Sequence, residues 1–428
     1  MRYFYAFVCS VLICGCALAQ DASDPKQRAR AARDLVKLGS DAIPKLQAML
    51  TDPDVDVRIE VVKAIVEVDT AASLDPLIQA TRDNDPEVQI RATDGLVNFY
   101  LPGYVQSGLS AKLRRAGKVI KAKFTDTNDQ VIGNYVQVRP EVVAALGKLA
   151  RGGISMESRA NAARAVGILR GRAALPDLYE ALRSKDDQVI YESLNAIQKI
   201  RDPEAAPRIA FLLRDLNEKV QIAAIETTGL LQNRDALPQL REALTRARST
   251  KVRRAALTAI AMLPDEGSRP IYQQYLNDKD DALRAAAAEG FARLRNKADL
   301  PVIEKAYAGE QKRNAQLSGA FALVMLGRTE ISEMSPLQTL INTLNSSSWR
   351  GVSRAFLIEL AREQAIRASL QQAVKQGTRD EKIELAQILA VSGDKDTVPV
   401  LNDLTHDSDT EVAQAALNAA RTLKARLQ

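Results

Sequence analysis

The chain has 428 residues, with 59 Lys or Arg against 53 Asp or Glu for a net charge of +6, and only one histidine and three cysteines, too few for most metal or thiol chemistry. Its hydrophobic content of 46% with a mean hydropathy of −0.18 allows a packed interior and argues against a polytopic membrane protein. With 8 Phe, 10 Tyr and 1 Trp, the buried layers must be built from Leu, Ile, Val and Ala.

The N-terminus reads as a leader. Met1-Arg2 precedes an apolar stretch from Tyr3 to Ile13, and Ala17-Leu18-Ala19 stands before polar Gln20-Asp21, which is a secretory signal peptide over 1–19. Cleavage after Ala19 follows the small-x-small rule. Ile13-Cys14-Gly15-Cys16 also approaches a bacterial lipobox with Cys16 as the lipidated residue, and the two readings stay open. Cys9, Cys14 and Cys16 all lie in this segment, so the mature chain is expected to have no disulfide, thiol nucleophile or cysteine metal site. An exported chain without disulfides points to the periplasm, or to a membrane-anchored lipoprotein through Cys16.

From residue 20 onward a repeat dominates. Pro44 and Pro76 are 32 apart, and Pro176, Pro207, Pro238, Pro270 and Pro301 follow in steps of 31 or 32, each at the head of an apolar run. Eighteen residues before each of the latter five begins a second pattern, at Ser158, Val189, Val220, Val252 and Leu283, with small residues four and seven places on, such as Ala162/Ala165 and Ala287/Gly290. Positions i, i+4 and i+7 share one helix face, and small side chains there let another helix approach closely. Proline is tolerated in the first helical turn, where its missing N–H would be unpaired anyway. Each unit is therefore helix, turn, helix. The joins Asp52-Pro53-Asp54, Asp186-Asp187, Asp280-Asp281 and Asp407-Ser408-Asp409 supply caps. Capping accounts for these carboxylate pairs without acid–base chemistry.

The third unit breaks the period, because Pro140 falls 52 residues after Val88 where 18 are expected. The extra residues lie at 101–138, and insertions in such arrays map to loops on one face. Leu101 to Thr125 has no acid and carries Lys112, Arg114, Arg115, Lys118, Lys121 and Lys123. Leu109, Leu113, Ala116, Ile120 and Phe124 fall at helical spacing, so 109–124 is expected to form a cationic amphipathic helix. With Tyr104 beside it, this insert is the candidate contact for an anionic partner, either anionic lipid or an envelope glycan. Asp126-Thr-Asn128-Asp129 lacks the rest of a calcium loop and reads as a polar turn. Further on, Arg328 to Ser335 lengthens one turn, and Trp349 opens a helix as a packing plug. His406 sits among acids in the last turn, where a solvated cap neighbour is expected.

The pattern Asp-x-x-Val-(Arg)-x-x-Ala followed by Ala-x-Pro-x-Leu-x-x-Leu-Leu, seen in Asp54-Val55-Asp56-Val57-Arg58 and in Ala206-Pro207 through Leu213, resembles HEAT-like repeats of the short phycobilisome-lyase type. The resemblance covers most of 24–428 and implies an armadillo-like, all-α, right-handed α-solenoid of about eleven helix pairs. It also implies a non-catalytic scaffold, without a cofactor, that binds another protein along its concave face. Tyr272, Tyr275 and Arg241 on proline-led helices are the candidate contacts there. The alternatives are a membrane-surface or envelope-polymer adaptor and, by fold analogy alone, a tetrapyrrole lyase. Nucleic acid would suit the basic insert, but the leader removes the chain from it.

Overall fold

A computed structural model describes residues 24–105, 130–133 and 135–428. The described residues are helical with no strand, and the chain divides into two compact units, one of residues 1–132 and 138–205 and the other of 133–137 and 206–428.

Unit 1 contains α1 (Pro25–Leu35), α2 (Ile43–Met49), α3 (Val55–Val68), α4 (Leu74–Ala80), α5 (Pro86–Tyr100), α6 (Pro140–Gly152), α7 (Met156–Ile168), α8 (Leu175–Ala181) and α9 (Asp187–Ile200). The odd-numbered helices pack in series, each on the next, and the even-numbered helices cover one side of the row. The small residues lie where the sequence pattern puts them: Ala162, Ala165, Ser193 and Ala196 are buried between neighbouring helices. Gly95 is needed where α5 packs on α3, since a Cβ there would run into the Val66 side chain and also lie 3.2 Å from Leu77 on α4.

Unit 2 contains α10 (Glu218–Leu230), α11 (Leu237–Arg246), α12 (Thr250–Ala261), α13 (Arg269–Tyr275), α14 (Asp281–Leu294), α15 (Leu300–Ala308), α16 (Arg313–Met325), α17 (Pro336–Thr343), α18 (Arg350–Leu360), α19 (Gln364–Gln376), α20 (Arg379–Ser392), α21 (Thr397–Leu404) and α22 (Thr410–Leu427). Here the even-numbered helices form the serial row. Its aromatic content is concentrated at Tyr272 with Phe291, 5.9 Å between ring centroids, and at Phe321 stacked on Phe356 at 4.6 Å. The described residues hold 22 α-helices, in keeping with about eleven pairs, and the expected α-solenoid is what the chain forms. Trp349 is half-buried at the N-cap of α18. His406 is exposed.

One element departs from expectation. The helix expected to begin at Pro207 is instead a 3-10 stretch over Pro203–Arg214. Pro203 starts the helical turn four residues early, so Pro207 lies inside it, where it has no N–H to donate and its ring crowds the carbonyl one turn back. Tighter 3-10 winding avoids that conflict.

The joins explain the repeat's polar signature. Asp54 accepts hydrogen bonds from Asp56 N and Val57 N, Asp186 from Gln188 N and Val189 N, and Asp280 from Ala282 N and Leu283 N, so each caps the helix that follows. In several serial helices the fourth residue reaches back to a carbonyl near the end of the preceding helix. Arg58 Nη1 donates to Asp52 O (2.9 Å), Gln89 Nε2 to Asp83 O (2.8 Å), Gln221 Nε2 to Leu213 O (3.0 Å) and Arg284 Nη1 to Asp278 O (2.8 Å). Arg58 and Arg284 use their remaining nitrogens to bridge to the next join, Arg58 to Asp83 (2.8 Å) and Arg284 to Glu310 (2.7 Å). These pairs are largely buried and satisfied by hydrogen bonds, the geometry in which a charge pair is retained rather than tolerated.

Candidate functional site

In unit 1 the solvent side of the serial helices carries a connected polar cluster where the insert leaves the fold. α5 contributes Asp94, α7 contributes Asn161 and Arg164, and α9 contributes Gln188 and Glu192. Asn161 Nδ2 donates to Asp94 (3.0 Å), Arg164 donates to both Glu192 oxygens (2.7 and 3.2 Å), and Gln188 Nε2 donates to Glu192 (2.7 Å). Tyr104, four residues beyond α5, lies half-buried against this cluster beside Arg164. Burial, reinforced by the Asp94 carboxyl, pushes the Tyr104 hydroxyl up to about 12. Burial also raises Asp94, which has an amide donor but no ion pair of its own among the described residues. Burial would lower Arg164, but Glu192 outweighs it and holds the guanidinium charged.

Both ends of the insert are fixed to the same two helices. On the outgoing side, Val105 N donates to Asn98 (2.9 Å). On the return, Ile132 is buried and its N–H donates to Ile168 O at the end of α7 (3.0 Å), while Arg139 N donates to the Tyr100 hydroxyl (3.1 Å). Lys112, Arg114, Arg115, Lys118, Lys121, Lys123 and the turn Asp126 to Asp129 lie outside the described residues, as do Cys16 and the leader.

The candidates of unit 2 are placed differently from expectation. Tyr272 is fully buried, its hydroxyl donates to Ile260 O (3.1 Å), and its ring fills the space over Gly290, so it is a core residue and not an exposed anchor. Tyr275, on the same helix, is half-buried. Arg241 is half-exposed, but its guanidinium pairs with Asp265 and donates to Ser268 Oγ (2.8 Å), which commits it to the turn ahead of α13. Among the other ring-bearing residues of the covering elements, Phe211 is 57% exposed while Tyr307 packs over Gly319.

A second buried cluster has no counterpart in the repeat pattern. Arg293 on α14 donates to both oxygens of Glu359 on α18 (2.9 and 2.8 Å), pairs with Glu289 (3.1 Å), and lies 5.2 Å over the Phe321 ring. Burial opposes its charge, and the two glutamates more than restore it. The clue in the sequence is a Glu289/Arg293 pair at i, i+4 inside an otherwise alanine-rich, buried helix. Among the described residues no group of three or more His, Cys, Asp or Glu side chains could hold a metal ion.

Comparison with protein families matches a HEAT-repeat model over residues 16–97 and 237–324, and a PBS lyase HEAT-like repeat over 158–184. No curated protein matches. Among solved structures, the chain is similar to the complex of CpcE and CpcF of phycocyanin lyase from Nostoc sp., with 19% identity over 61% of this chain and 90% of that one and a TM-score of 0.36. An engineered protein matches with 18% identity over 96% of this chain and 98% of the other, with a TM-score of 0.36. Kap121p bound to Pho4p matches with 12% identity and a TM-score of 0.44, covering 97% of this chain and 58% of Kap121p. Capped serial helices, small residues at their contacts and two separate matches to the repeat model agree: the chain is a HEAT-like repeat protein.

Proposed function

We propose that the protein is a non-catalytic scaffold that binds another protein across the solvent side of its serial helices. The observation that carries this reading is the groove on that side in each unit. In unit 1 it runs along α1, α3 and α5, lined by Lys26, Arg33, Ile59, Glu60 and Arg91, and in unit 2 between α20 and α22, lined by Gln387, Val391, Gln414 and Asn418. A shallow groove mixing apolar and charged groups suits a polypeptide rather than a small molecule. Bilin chemistry gains no support from a shared helical repeat.

The envelope location, with removal of 1–19 or acylation of Cys16, belongs to the same proposal and is supported by the leader pattern. An anionic lipid or glycan contact through Lys112 to Lys123 is the second reading, favoured by the charge of the insert. A photoreactive residue at Arg33 or Gln414 should cross-link one discrete protein in the native envelope, while the same probe at Lys45 on a covering helix should not. Equal capture from all three positions, or none, would refute the scaffold reading. Mass spectrometry of the N-terminus separates a free Gln20 from a lipid-modified Cys16, and an intact Met1 would remove the export reading.

A further inference from the structure

At the ends of five serial helices, α3, α7, α9, α10 and α14, the chain turns through one non-glycine residue with positive φ. Asp69, Arg170, Arg201, Gln232 and Arg295 occupy these positions, with φ of 46, 49, 57, 58 and 54°. Glycine adopts that conformation freely and other residues do so at a cost, so a helix end of this kind ordinarily selects Gly or Asn. In unit 2 the long side chains at these sites have structural partners. Gln232 donates to Gly229 O (3.1 Å) and Met262 O (2.9 Å), and Arg295 pairs with Glu363 (2.7 Å).

In unit 1 they do not. Arg170 and Arg201 stand at equivalent places in consecutive repeats, 31 residues apart, both exposed, and neither has a hydrogen-bond or ion-pair partner for its guanidinium among the described residues. The nearby carboxylate, Asp202, is 5% exposed and already engaged by Arg172 Nε (2.6 Å) and by Glu204 N (3.1 Å). Partial burial and the repulsion of Arg201 both act against the Arg170 charge. Helix C-termini favour cations in general. That preference is met by a residue anywhere in the last turn, and it does not select arginine at the one backbone position that disfavours it, twice in succession. A local rule broken without a compensating contact points to a contact made with something else.

We propose that Arg170 and Arg201 form a paired cleat for an extended acidic stretch of a partner protein lying along this turn edge of unit 1. The inference rests on the scaffold reading but uses a different surface from the serial-helix groove. Packed helices lie about 8–10 Å apart, and a chain in the extended polyproline II form returns to the same face every three residues while advancing about 3.1 Å per residue, so carboxylates three residues apart face the protein together at about the spacing of neighbouring helix ends. Each planar fork accepts a carboxylate through two parallel N–H donors.

The test is fluorescence anisotropy of the full chain at low ionic strength with a labelled peptide carrying glutamate at every third position among Gly and Ser. The expected result is binding that weakens roughly fivefold in Arg170→Gln or Arg201→Gln and more than tenfold in the double variant, and that Arg→Lys replacement only partly restores. The glutamine version of the peptide and one with the same glutamates contiguous should bind more weakly. Arg201→Gly should lose binding while raising Tm, because it relieves both repulsion and backbone strain, a sign opposite to that of a structural arginine. Peptide binding unchanged in the double variant, polyphosphate binding as tightly as the spaced peptide, or a lower Tm in Arg201→Gly would each overturn the cleat. Cross-linking from Arg33 in the double variant separates the two claims: retained capture with lost peptide binding supports the cleat as a second contact. Retained capture with unchanged peptide binding removes the cleat and leaves the scaffold standing.

Discussion

Gly290 offers the sharpest test of how unit 2 is packed. A Cβ placed there would lie 2.5 and 2.6 Å from Cζ and Cδ1 of Tyr272, inside van der Waals contact by more than an ångström, and Tyr272 is fully buried with its hydroxyl bonded to Ile260 O. The ring cannot withdraw without losing that bond. Overpacking of this kind costs about 1–3 kcal/mol, while replacing glycine inside a helix returns about 1 kcal/mol of propensity. Gly290→Ala should therefore destabilise unit 2 by up to about 2 kcal/mol. In a Tyr272→Ala background the clash is gone, and the same change should be neutral or stabilise by up to about 1 kcal/mol, even though Tyr272→Ala itself costs about 3–5 kcal/mol through the cavity it leaves. Urea unfolding followed by Trp349, the only tryptophan, reads this unit directly. A stabilising Gly290→Ala in the native background, or a cost that survives in the Tyr272→Ala background, would show that the ring does not fill this space.

Three further outcomes are expected. Asp94 is raised by burial, so its contribution to stability is greatest below the unfolded carboxyl value of about 3.9 and falls as pH rises through its folded value; Asp94→Asn should raise Tm at pH 7 and give no gain near pH 3, and a gain independent of pH would refute the assignment. Charged groups around it are Arg91, Arg164 and Glu87, with Asn161 and Tyr104, and the pH profile includes their field. Arg293→Met leaves Glu289 and Glu359 buried without a counter-charge and should cost about 3–5 kcal/mol, with much of the loss recovered in the triple variant Arg293→Met/Glu289→Gln/Glu359→Gln, as read by urea unfolding. Asp280→Ala removes both an N-cap and the partner of Arg254 and should cost about 1 kcal/mol, whereas Asp281→Ala next to it should be nearly silent in thermal melts.

The repeat, its helix order and its caps were legible because each depends on one unit seen many times: the positions of Pro176, Ala162 and Asp186 recur at a fixed step and mostly serve the same purpose, with Pro207 as an exception. The clusters were not legible for the opposite reason. Arg164 with Glu192 and Arg293 with Glu359 join residues of different repeats, and a periodic pattern averages such pairs away. Tyr272 was misplaced because an aromatic on a covering helix can point either way. Only the missing side chain at Gly290 decides it, and one of several small residues at that register carries no warning. The 3-10 winding at Pro203–Arg214 could have been read from two prolines four residues apart, a spacing that fits no α-helix interior.

The joins carry a consequence for how such a chain arises and grows. Cap, backward clasp and forward bridge at Arg58 involve Asp52, Asp54, Asp83 and Asn84, all within about one unit of sequence. The contacts that fix one corner are thus short-range along the chain, the regime in which folding is fast and local. A copied segment of 31 residues would bring with it nearly everything its own corner requires, so lengthening by internal duplication needs no coordinated change elsewhere. What cannot be copied so cheaply is a contact that skips a unit, such as Arg293 to Glu359. Residues of that kind mark where the array stopped being interchangeable and acquired an address.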